Sequence, residues 1–338
     1  MKARSRHLDT LLASPEPSIR YKTRVGVLGE NPASGTMRAL REEIRRSPRV
    51  RALLSGRARD GRLLRGRTVY QKWQGAHWVM ATLADLGYPR GDRGLLPLRD
   101  QLLDHWLAPR FYDEFESTSK VKSYERDGVP VMRGRHRRCA SQQGNALFAI
   151  ATLGLANVRT EKLAERLLHW QWPDGGWNCD RNPDADTSSF METLIPLRGL
   201  VAFRTLGGDA RIARAITRAA GVFLDRRLFR RRSTGAVIHR EFVELHYPLY
   251  WHYDILGALK VMAEAGLIGD RRCRPALDLL QEKQLADGGF PAEKRYYTRS
   301  KRIVLRGEMV DWGGTSKRVS NPWVTVDALT VLTAGGRM

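Results

Sequence analysis

Between His246 and Asp254 the chain reads His-Tyr-Pro-Leu-Tyr-Trp-His-Tyr-Asp, a run dense in aromatic and imidazole side chains. Tyr247, Tyr250 and Trp251, with Trp73, His77 and Trp78 from an earlier segment and Trp323 from a later one, can line an apolar cavity with π-faces. Each such face stabilises a passing cation by about 0.5–2 kcal/mol. The same rings also suit plain core filling, with His252 and Asp254 as a buried pair or a terminal base. A second group, Asp184 and Asp186, lies just before the apolar run that starts at Phe190, with Glu192 in its early turns and expected in the wall of the same cavity. Asp186, Thr187 and Ser188 are all good helix N-caps, so capping competes with chemistry there. Cys139 and Cys179, with His246 or His252, offer thiolate and imidazole donors that suit zinc, although no close C-x-x-C spacing supports a site. Free buried thiols are the commoner outcome.

These residues must be positioned by helices, because apolar periodicity runs through almost the whole chain. One class is apolar nearly all round: His77–Leu86, Asn145–Leu155, Phe190–Phe203, Ile255–Ala265 and Val324–Leu332. A glycine follows several of them, as at Gly87 and Gly266, where it suits a left-handed C-terminal cap. The second class, including Glu161–Trp170 and Ala210–Phe223, carries an apolar stripe and a charged back. A helix apolar on every side must be covered on every side, whereas an amphipathic one faces water. Their alternation predicts an all-α protein: an α/α toroid of an inner and an outer helical ring, with about six helix pairs. Residues 1–65 form a basic helical segment with helices over Ser18–Leu28 and Thr36–Leu54, part of the toroid or packed on it, and residues 66–338 make up the toroid proper. Short strands are expected at Gly235–His239 and Arg302–Val304.

One motif occurs twice. Gln171-Trp172-Pro173-Asp174-Gly175-Gly176-Trp177 returns as Gln284-Leu285-Ala286-Asp287-Gly288-Gly289-Phe290, each copy closing an amphipathic helix. The glycines permit a tight reversal, the aspartate can bond free backbone N–H groups, and the ring plugs the gap between helices. At these residues the chain resembles the squalene-hopene cyclase and protein prenyltransferase superfamily, over roughly residues 68–336, and a bacterial group described only as prenyltransferase- or squalene-cyclase-like. The resemblance implies a central cavity for an isoprenoid or other apolar substrate, with the functional residues at its rim. It matches Asp186 to the proton-donating aspartate of acid-initiated cyclisation and Asp184 to its helper, but Thr187 stands where a further aspartate is expected. It also implies zinc as a possible cofactor, in a transferase or cyclase with Cys139, Cys179 and His246 as ligands. A toroid that only binds or scaffolds a protein partner is the non-catalytic alternative.

Basic side chains number 58 against 36 acidic, a net of +22, and residues 1–70 alone hold 17 basic and 6 acidic. Such a field attracts phosphates, whether on a prenyl diphosphate or an anionic membrane surface. No zinc finger, RNP-type motif or compact helix-turn-helix points to specific nucleic-acid binding. The start of the chain has too small an apolar core for a secretory signal, and three cysteines make no disulfide framework. The expectation is a cytoplasmic protein, peripheral at a membrane if its basic face is used.

Overall fold

The computed structural model describes residues 2–64, 68–207 and 209–338, with side chains from His7 onward. Thirteen α-helices dominate it: α1 (Lys2–Leu12), α2 (Pro17–Lys22), α3 (Gly35–Arg45), α4 (Pro48–Leu53), α5 (Ala76–Leu86), α6 (Leu96–Trp106), α7 (Ala140–Thr152), α8 (Val158–Trp170), α9 (Phe190–Arg204), α10 (Ala210–Leu224), α11 (Ile255–Glu264), α12 (Arg274–Glu282) and α13 (Pro322–Ala334). A π-helical turn over Thr23–Val27 extends α2. Strands β1 (Glu114–Glu116), β2 (Val129–Met132) and β3 (Arg135–His136) form a small sheet, and β4 (Thr298–Arg299) pairs with β5 (Gly307–Glu308). The predicted strands at 235–239 and 302–304 do not form; the first segment is irregular with a single antiparallel bridge from Val237 to Arg230, and the second is irregular.

The apolar helices begin where capping side chains satisfy free N–H groups. Ser189 accepts from Glu192 N at the start of α9, Asp254 from Gly257 N at α11, and Asn321 from Trp323 and Val324 N at α13. Gly87 closes α5 in the left-handed region at φ +81. The predicted helix over 36–54 is broken into α3 and α4, because Ser47 caps a new start with Pro48 in its first turn. Helix α7 begins at Ala140 rather than Asn145, so the stretch expected as a lead-in is already helical.

Neighbours follow a simple order. Helix α5 packs on α7, α7 on α9, α9 on α11, α11 on α13, and α13 on α2 and the π turn. Helices α6, α8, α10 and α12 lie against α5, α7, α9 and α11 respectively. The first set is buried almost all round and the second on one stripe, as the two apolar patterns require. The tightest approach is α7 on α9, where Gly144 and Gly199 leave no room for a side chain: a Cβ on Gly144 would lie 2.5 Å from Pro196 Cα.

The repeated motif makes the same turn twice. Gln171 Nε2 donates to Gly175 O at 2.7 Å, and Gln284 Nε2 to Gly288 O at 2.8 Å. Asp174 accepts from Ser188 N and Oγ, and Asp287 from Ser320 Oγ, so each aspartate ties the turn to the start of the next apolar helix. Trp177 N and Phe290 N donate to Thr193 and Thr325 one turn inside those helices. Gly175 and Gly288 take positive φ, and Gly176 and Gly289 lie where a Cβ would collide with the following helix start. These ten residues brace the fold. Among the described residues, no helix is long and apolar enough to cross a membrane.

Candidate functional site

The aromatic residues do come together, but as filler. Trp73 stacks on Tyr250 with ring centres 3.8 Å apart, Trp78 meets both edge-on, and Tyr247 stacks on Trp323 at 5.1 Å. His252 is sandwiched between Tyr296 and Trp251, and burial pushes its pKa down to about 2. Tyr250 donates to Glu308. The enclosed space they leave is ≈ 50 Å³, room for a few waters, well below the ~300 Å³ at which ligand pockets begin.

What occupies the middle is charge. Asp85 of α5 accepts from Lys260 of α11 (2.7 Å) and Arg198 of α9 (2.9 Å), with Lys22 of α2 at 3.5 Å. Lys22 and Lys260 also reach Asp327 of α13 at 2.6 and 2.9 Å, and Arg198 pairs with Glu264. Desolvation alone would raise the Asp85 pKa, but the three cations hold it well below the usual carboxylate range. Three positive and three negative groups close the account, and Tyr247 adds its hydroxyl to Asp85. The sequence signal was present: each of these apolar helices carries a charged residue on a face that should be greasy.

Several expected site residues are placed otherwise. Asp184 and Asp186 are exposed, the first paired with Arg133 and the second holding only the Thr187 hydroxyl, so neither sits in the apolar setting that keeps a carboxyl protonated. The cap of α9 is Ser189, not these residues. Asp254 does not pair with His252. It binds His246 Nδ1 at 2.7 Å and His246 N at 2.9 Å while capping α11. Burial opposes charge on His246, yet the adjacent Asp254 carboxylate wins and raises its pKa. His246 is therefore engaged there, and it is not among the groups whose donor atoms converge with the thiols.

Cys139 and Cys179 do converge, and Glu192 joins them. One donor atom from each lies within 4.8 Å of the others. Three elements deliver them. Cys139 is the N-cap position of α7, where its own side chain makes no cap hydrogen bond and the positive end of the helix favours a thiolate. Cys179 follows the Trp177 turn, brought alongside by a parallel bridge between Arg137 and Asn178. Glu192 stands in the first turn of α9 and accepts from Ser141 N of α7 at 3.0 Å.

The electrostatics distinguish the two thiols. A hydrogen bond from the Cys179 thiol lowers the Cys139 pKa, and the same bond, with burial, raises that of Cys179. Burial raises the Glu192 pKa. Around them stand Arg138, which donates to Gln142 Oε1 at 2.6 Å, and Tyr70, whose hydroxyl is bonded to Gln142 and faces the charges of Glu192 and Cys139. All three donor residues keep some exposure, although burial dominates at the Glu192 carboxyl. Two thiolates and a carboxylate fit a tetrahedral zinc ion with one position free. Glu192 was expected in the cavity wall and Arg138 and Gln142 were not singled out; spacing along the chain cannot reveal donors that three separate elements supply.

Neither the protein-family models nor the curated proteins compared with this chain match it.

Proposed function

We propose that the chain is a zinc-dependent enzyme in which Cys139, Cys179 and Glu192 hold the metal at one end of an α/α toroid of the terpenoid-cyclase and prenyltransferase type. The toroid reading is supported by the neighbour order α5–α7–α9–α11–α13–α2 and by the Lys22–Asp85 pair, which joins the last helix of that series to the first. The single observation that carries the enzymatic reading is the convergence of three metal-binding side chains from three elements within 4.8 Å, each residue partly exposed. Zinc bound by three protein ligands supplies Lewis-acid activation of a water or of a substrate heteroatom at its free position. Arg138 and Tyr70 then act on the substrate side, the guanidinium attracting an anionic group and the hydroxyl fixing its orientation. A prenyl or other apolar substrate would lie against this partly exposed cluster, because the space among the aromatic rings, ≈ 50 Å³, is too small to hold it. Acid-initiated cyclisation is less well supported, since Asp184 and Asp186 are exposed.

The test is elemental analysis and cobalt substitution of tag-free protein. One zinc per chain is expected, and the cobalt form should show a thiolate-to-metal charge-transfer band that Cys139→Ser and Cys179→Ser each abolish. Less than about 0.1 metal per chain after purification and after zinc titration rejects the proposal. So does recovery of the two cysteines as a disulfide from freshly reduced, zinc-supplemented protein. Metal that binds without any turnover of prenyl diphosphates or thiol substrates points to the binding-protein alternative.

A further inference from the structure

A second cluster lies away from the thiols and was invisible in the sequence. Glu114 comes from β1, His136 from β3 and His169 from the last turn of α8. His136 Nε2 is 3.1 Å from Glu114 Oε2, and His169 Nε2 straddles the carboxylate, 3.0 Å from the same oxygen and 2.9 Å from Oε1. The two imidazole rings are tilted by 54° with centres 4.6 Å apart. The other carboxylate oxygen is held: Trp170 Nε1 donates to Oε1 at 3.0 Å and Arg166 Nη1 at 3.1 Å. Two imidazole nitrogens and one carboxylate oxygen thus lie within 4.8 Å of one another, with side-chain exposures of 27% for Glu114, 15% for His136 and 50% for His169.

We infer that Glu114, His136 and His169 form a second divalent transition-metal site, independent of the thiol site. Metal–ligand bonds of about 2.0–2.1 Å in a tetrahedron put neighbouring donors about 3.3 Å apart, close to the two nitrogen-to-Oε2 separations here, and all three donors already lie within 4.8 Å of one another. Imidazole and carboxylate donors without sulfur select zinc, nickel, cobalt or copper over magnesium and calcium. The support around the site is of the kind such sites need. Trp170 and Arg166 fix the carboxylate so that Oε2 points outward, and Trp172 Nε1 donates to His136 O at 2.8 Å, holding the strand that carries the ligand. Without an ion the two rings share one carboxylate oxygen as hydrogen-bond donors; with one, both nitrogens and Oε2 donate to it instead. A bound ion clamps the small sheet to α8 and, through β3, steadies the short link from His136 to Cys139.

The Cys139→Ser/Cys179→Ser double variant isolates this site from the other. Freed of metal with chelator and free of any histidine tag, it is titrated with nickel and with cobalt by calorimetry while thermal unfolding is followed. One equivalent should bind and raise the unfolding midpoint. His169→Gln, at a half-exposed position that keeps the fold, should weaken binding at least about tenfold, and Glu114→Gln should do the same. Magnesium should leave the midpoint unchanged. A double cysteine variant that binds no nickel or cobalt overturns the inference, as does binding unaffected by His169→Gln and Glu114→Gln together.

Discussion

His77 shows how one buried side chain makes stability depend on pH. Its ring is enclosed by Tyr70, Trp78 and Trp106, takes a hydrogen bond from Trp106 Nε1 on Nδ1 at 3.0 Å, and sets Nε2 3.2 Å from the Asn145 amide. A fully enclosed imidazole with no anion beside it stays neutral, and burial moves its pKa from 6.5 down to about 3. Below the unfolded value the unfolded chain takes up a proton that the folded chain refuses, so the contribution is complete above pH 6.5 and is lost as the pH falls toward 3. Between pH 7 and pH 5 the wild type should lose about 2 kcal/mol more than His77→Gln, read by urea unfolding at both pH values. An equal loss in both proteins would show that another group titrates there. His77 was expected as a cavity wall because its neighbours in sequence are aromatic. The sequence does not show that Asn145 and Trp106 meet its two nitrogens, since those partners come from other helices.

At the scale of elements, the apolar patterns located α5, α9, α11 and α13 to within a residue or two, because a helix covered on all sides has to be apolar on all sides. The two motif turns were legible for the same reason: glycine pairs and a preceding glutamine have few other uses. The junction of α7 with α9 was not, although Gly144 and Gly199 stand in plain view. A glycine inside a helix reads as a weakness until the element pressed against it is known. Here Gly199 opposes Gly144 O and Gly144 opposes Pro196, so the two backbones touch. Gly144→Ala should therefore destabilise by about 1–3 kcal/mol even though alanine is the better helix former, measured by denaturant unfolding with α-helical content checked by circular dichroism. A neutral or stabilising result would mean that the helices sit further apart. The rim carboxylates were misread at this same scale. Asp184 and Asp186 lie on a loop whose last residue, Ser189, takes the cap, leaving both free to face water.

The molecule as a whole is tied together by its buried ions. Removing one partner of such a cluster leaves the others charged and unpaired, which costs far more than an exposed pair contributes. Asp85→Asn strips a carboxylate from Lys22, Arg198 and Lys260 together and should lower stability by about 3–5 kcal/mol, seen as a matching fall in the urea midpoint. A change under 1 kcal/mol would show that water reaches the centre freely. Composition announced a strongly basic protein, but could not say that three of those cations are spent inside it.

The order in which those charges leave the ribosome has a further effect. Lys22 emerges first, then Asp85, Arg198 and Lys260, and Asp327 comes last, almost a full chain length after the lysine it neutralises. Until then Lys22 and Lys260 have only Asp85 between them on faces destined for burial, so one carboxylate fewer is present than the finished cluster uses. Partial docking of the early helices is thereby penalised, and final compaction is deferred until α13 has been made.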